Sequence, residues 1–240
     1  MIAAGISIAV RRQARLAATL LGVMLLIFVL LIHFPSMIRS VFDNPDDVKV
    51  LWSFNGTGGV NNALKDIGLA ASALILGATQ LSRTQQPRRF AAVCAITFAV
   101  IMALYGIEHF FYTFYTPGVP SWSLVTFWIP WRMFWGYISG VILLAAGVCV
   151  LAKRNPGAAA TWLGFVILGF AVGTYVLRVM AHQGQIGELV NTAKDIGLAG
   201  GALILAGSMA NGGRVDRVVI EPRGTVPPAS EKETLAHSFE

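Results

Sequence analysis

Three short runs place ionisable residues inside otherwise apolar sequence: Glu108 and His109 in YGIEHFFY, Lys65 and Asp66 in NALKDIGL, and Lys194 and Asp195 in NTAKDIGL. Ionisable groups in such surroundings are costly and are retained where they are paired or do chemistry. A carboxylate next to an imidazole can hydrogen-bond a carbonyl and move its proton, since histidine titrates near pH 6.5. The candidate catalytic set is therefore Glu108, His109, Lys194 and Asp195. The candidate cofactor-binding set is His109, Arg132, Lys65 and Asp66. The bland reading of the same residues is a polar cluster that fixes helix packing. An aspartate near a helix N-terminus is favoured by the macrodipole, whereas a lysine there is not. Lys65 and Lys194 therefore need a counter-charge, and Glu108 is the acidic residue available on another predicted span.

Other residue types add little chemistry. His33, His109 and His182 fall near the same predicted depth, but no cysteine–histidine spacing typical of a metal site occurs, so no metal is expected. Arg132 sits among Trp128, Trp131 and Trp135, as an interfacial anchor would. Cys94 and Cys149 lie in apolar runs and read as small hydrophobes. Gly136–Gly140 and Gly169–Gly173 are GxxxG spacings that let membrane helices approach closely.

The elements that must position these groups are long apolar runs. The chain is 55% hydrophobic and only 12% charged, with a mean hydropathy of +0.66, whereas soluble domains carry about a quarter charged residues. About 20 apolar residues cross a bilayer core, and six such spans are predicted, near 16–34, 63–81, 90–112, 131–152, 158–180 and 192–209. The net charge of +6 comes from clusters between spans and not from a basic patch with interleaved aromatics, which argues against nucleic acid. Arg11, Arg12 and Arg15, then Arg83, Arg88 and Arg89, then Lys153 and Arg154, then Arg214, Arg217 and Arg223 alternate with loops poor in Lys and Arg. The positive-inside rule puts the basic loops and the C-terminal tail in the cytoplasm. The expected location is a bacterial inner membrane. The outer loop 35–61 is the longest, and 211–240 should be a disordered tail.

The spans also repeat. Residues 62–76 (NALKDIGLAASALIL) match 191–205 (NTAKDIGLAGGALIL) at eleven of fifteen positions with a shift of 129. Residues 3–22 match 145–164 at nine of twenty with a shift of 142. The difference, 142 − 129 = 13, is absorbed by loop 35–61. The repeating unit is then four helices, about 90–209, and successive units enter the membrane in the same sense. The first unit lacks the equivalent of 90–142, and Met1–Val10 would extend only about 15 Å as a helix. A longer ancestral form would have eight spans, and an open seam at Met1–Val10 should favour pairing with another copy.

YGIEHFFY (Tyr105–Tyr112), VPSW (Val119–Trp122), WIPW (Trp128–Trp131), FWGYISG (Phe134–Gly140) and AKDIGLAGGALILAG (Ala193–Gly207) together resemble the DoxX family of small four-helix membrane proteins. The likeness covers about 3–207, with two departures: extra residues between Trp122 and Trp128, and Tyr175 where the other unit has His33. The resemblance implies quinone-linked oxidation carried out with a redox partner enzyme. A quinone is thus the cofactor it suggests.

The sequence therefore predicts an all-α polytopic transmembrane bundle of about six spans, built as a parallel tandem repeat of a four-helix unit whose first copy is incomplete. Its parts are 1–82 (incomplete unit), 90–210 (complete unit) and 211–240 (tail). The expected partners are the lipid bilayer, a redox enzyme and a second copy, with no nucleic acid. The expected role is a membrane subunit supporting quinone-linked chemistry. A non-catalytic scaffold comes next, and a small-molecule carrier last, because a carrier needs a polar midplane site or broken helices.

Overall fold

Within lipid the backbone must satisfy its own hydrogen bonds, which an apolar run does by forming a helix. The computed structural model describes residues 2–10, 13–43, 60–79, 85–111, 130–181 and 186–220. These form α1 (Ile2–Ala9), α2 (Ala14–Phe28), a π-helical segment (Val29–His33), α3 (Phe34–Asp43), α4 (Val60–Thr79), α5 (Gln85–Phe111), α6 (Arg132–Leu151), α7 (Pro156–Ala181) and α8 (Ile186–Ile220). Five stretches are long and apolar enough to cross a bilayer: Ala14–Arg39, Arg89–Phe111, Met133–Leu151, Pro156–Gly173 and Leu189–Ala210. The chain is a multi-pass integral membrane protein with an all-helical bundle.

Six spans were expected, and the difference lies in α4. It has spanning length, but Asn61, Asn62, Lys65 and Asp66 fill its first turns. Burial compensates, because α4 is the central helix and touches α2, α5 and α8. Helices α4 to α8 close a ring through successive contacts, with α2 packed on the side of α4. Exposed Leu20 on α2, Leu30 and Leu31 on the π-helical segment, and Val93 and Ile96 on α5 form the lipid-facing surface. Two loop expectations also change. Residues 34–43 are the helix α3, and α8 runs ten residues into the expected tail, to Ile220. The Pro/Trp loop after Phe111, His182, and the tail beyond Ile220 lie outside the described residues.

The π-helical segment has a local cause in Pro35. A proline inside a helix lacks the N–H and crowds the carbonyl four residues earlier. The chain answers with a wider turn, in which the Phe34 amide donates to the Val29 carbonyl, five residues back.

Packing inside a membrane relies on close backbone approach, not on apolar burial. Helices α5 and α6 cross where a Cβ on Gly106 would lie 2.5 Å from the Leu144 amide nitrogen. A Cβ on Gly140 would lie 2.9 Å from the Gly106 carbonyl. Two other helix pairs use like contacts. Gly22 of α2 meets Leu74 and the Ala70 carbonyl on α4, and Gly164 of α7 meets Leu203 and the Ala199 carbonyl on α8. The left-handed residues Gln13 and Asn155, which precede α2 and α7, are alike as well (φ 53° and 45°).

Candidate functional site

The same Lys-Asp pair, expected in the first turns of its helices, lies in the second turn of α4 and the third turn of α8, because both helices begin earlier than the sequence suggests. The two helices exchange partners. Lys65 Nζ lies 2.7 Å from Asp195 Oδ1, and Lys194 Nζ lies 2.7 Å from Asp66 Oδ1. Lys65, Asp66 and Asp195 are buried, with Lys65 only 1% exposed. Each lysine thus meets a carboxylate on the other helix. Glu108, expected from sequence as the counter-charge, is buried in the same cluster.

The exchange continues along both helices. Gly68 faces the Leu198 side chain at 3.0 Å from an added Cβ, and Gly197 faces Leu69 at 2.7 Å. One turn further, Ser72 meets Gly201. The partners are related by the same offset of 129, so α4 and α8 run parallel about a local two-fold axis near Ser72 and Gly201. Small residues four apart, Gly68–Ser72 and Gly197–Gly201, bring the helices together. The GxxxG pairs singled out from sequence behave differently. Gly140 serves the α5–α6 crossing, while Gly169 and Gly173 face open space.

His33 joins the cluster from the π-helical segment that follows α2. Its Nε2–H donates to Asp66 Oδ2 at 2.9 Å, so Asp66 bridges His33 and Lys194, and Nδ1 of the buried ring has no protein partner. The π-helical turn ends on this residue. His33→Leu should cost about 1.5–3 kcal/mol, the usual worth of a hydrogen bond to a charged group, read by thermal unfolding in detergent. An unchanged transition would show that Lys194 alone holds Asp66.

On the other side of α4, the Tyr105 hydroxyl donates to the Asn61 carbonyl at 3.1 Å. One turn on, His109 Nδ1–H donates to the Tyr105 carbonyl at 2.8 Å. A carbonyl only accepts, so the neutral ring keeps its lone pair on Nε2. That atom is buried without a protein partner, as are both amide atoms of the Asn61 side chain. The structure thus brings Lys65, Asp66, Lys194, Asp195, Glu108 and His109 to one end of the bundle. Arg132 opens α6, and its side chain lies outside the described residues.

Sequence reasoning missed Asn61 as a site residue and His33 as the partner of Asp66. One signal was available: position 190, the counterpart of Asn61, is Val, so the polar residue is peculiar to α4. Among the described residues no group of three or more His, Cys, Asp or Glu is placed to hold a metal, and Cys94 and Cys149 are free thiols. In comparisons with family models, characterised proteins and solved structures, the chain matches none.

Proposed function

We propose that this chain is a membrane subunit that holds the head of a quinone or quinol at the Lys-Asp end of the bundle, for a partner enzyme that handles the electrons. The observation that carries the reading is the buried His109 ring, tied at Nδ1 and free at Nε2, one turn from Tyr105 and its Asn61 contact. A lone pair held in this way accepts a hydrogen bond from a quinol hydroxyl. The Asn61 amide can donate to a carbonyl or accept from a hydroxyl. An amphiphile with a polar head and an apolar tail would satisfy these atoms while its tail stays in lipid. The resemblance to DoxX proteins points the same way. On this reading the site lies at the periplasmic face of a bacterial inner membrane, with the C-terminal segment cytoplasmic.

The test is purification from native membranes, with extraction and quantification of quinone, and a partner search by mass spectrometry. Wild-type protein should carry stoichiometric quinone. His109→Leu and Asn61→Leu should each lower occupancy about tenfold, the effect of losing roughly 1.4 kcal/mol of polar contact. Absence of quinone from wild-type protein would overturn the reading. A scaffold role is the second reading, supported by the crossed ion pairs, which lock α4 to α8 without any ligand.

A further inference from the structure

Nine glycines in the helices α2 to α8 meet neighbours that a Cβ would press at 3.0 Å or less: 22, 68, 77, 106, 140, 147, 164, 197 and 201. Among the described glycines of these helices, four have open space instead, Gly169 and Gly173 on α7 and Gly200 and Gly207 on α8. All four belong to one adjacent pair of helices. A helical glycine without a close neighbour forfeits stability for no internal packing gain.

The local two-fold axis indicates what belongs on α8. Gly200 and Gly207 correspond, at the offset of 129, to Ala71 and Ala78 of α4, which are buried. Ala71 packs in a cluster with Phe98 of α5. Helix α5 runs antiparallel to α4, since Tyr105 near its end meets Asn61 near the start of α4. On α8 the corresponding face is uncovered, with Val190 48% and Ile196 45% exposed. What fits there is an apolar helix running antiparallel to α8.

Helix α7 of a second copy meets that description. Within the chain, Gly164 of α7 lies level with Ala199 and Leu203 of α8, and Gly157 lies level with Ala206. Phe165 is therefore level with Gly200, and Gly169 with Ile196. A two-fold axis along the membrane normal preserves depth. It sets Phe165, 58% exposed, against the partner's open Gly200, and Ile196 against the partner's open Gly169. Each large side chain meets a missing one, and the arrangement closes on itself as a two-fold dimer must.

We propose that the lipid-facing side of α7 and α8 is the seam of a two-fold homodimer, in which α7 of each copy covers α8 of the other. The seam needs no contribution from the quinone reading and stands apart from the polar cluster.

Two differently tagged copies, one carrying Phe165→Cys and the other Gly200→Cys, both with Cys94→Ser and Cys149→Ser, are co-expressed and oxidised in membranes. A disulfide-linked dimer bearing both tags is expected, and none when Val93→Cys on the opposite exposed face replaces Phe165→Cys. Separately, Gly200→Leu fills space that is empty within one copy. It should weaken the dimer in mild detergent at least about tenfold by sedimentation while leaving the unfolding temperature of the monomer unchanged. Three results would overturn the seam: no mixed dimer from correctly inserted protein, equal cross-linking through Val93→Cys, or cross-linking only to a different protein.

Discussion

Asp195→Asn should destabilise the protein by about 3–5 kcal/mol, the cost of leaving one partner of a buried ion pair uncompensated. Lys65 is almost wholly buried and its ammonium lies 2.7 Å from Asp195. The amide keeps the size of the carboxylate and removes the charge, so the loss reads out electrostatics and not cavity formation. The informative companion is Lys65→Met with Asp195→Leu, which removes both charges and should recover most of the loss, because apolar replacement of a buried pair is often neutral. Chemical unfolding in detergent would report both variants. If Asp195→Asn unfolded like wild type, the exchange between α4 and α8 would have to be regarded as decoration.

A comparable loss is expected at the α5–α6 crossing. Gly106→Ala places a methyl 2.5 Å from a backbone nitrogen and 2.9 Å from both the Gly140 carbonyl and the Leu144 Cα. None of these is the movable end of a side chain, so the two helices themselves must separate. Overpacking of this kind costs about 1–3 kcal/mol, and Gly106→Leu should prevent the crossing from forming. Gly207→Ala is the control, because an added methyl there meets nothing within 4 Å. A thermal transition of Gly106→Ala matching that of Gly207→Ala would falsify the close crossing.

Much of the candidate site was legible in the sequence, because ionisable residues are conspicuous in an apolar chain and six of them were expected at a similar depth of the bundle. Their partners were less legible. Glu108 was the counter-charge the sequence pointed to, and the exchanged aspartates were not weighed beside it because Asp66 and Asp195 already had a local explanation at their helix ends. That reasoning treated each Lys-Asp run in isolation. Two parallel helices carrying the same run at the same depth can each satisfy the other, which makes the identity of residues 65–70 and 194–199 a pairing signal as well as a sign of repetition. His33 was missed for a geometric reason. The π-helical turn that precedes Pro35 changes which way the ring faces, and helical periodicity assumes a regular turn.

Composition and apolar run length alone determined that this chain forms membrane helices, since lipid offers the backbone no other partner. The positions of Gly, Pro and charge set where those helices begin and where they bend. Only the tertiary structure decided that α4, which has spanning length but no stretch apolar enough to count as a span, stands at the centre. Span-by-span hydropathy cannot register the burial of Asn61, Lys65 and Asp66 by neighbouring helices. Which glycines are pressed and which are open was likewise decided by helix crossing, because a GxxxG spacing brings two glycines to one face and does not say what that face meets.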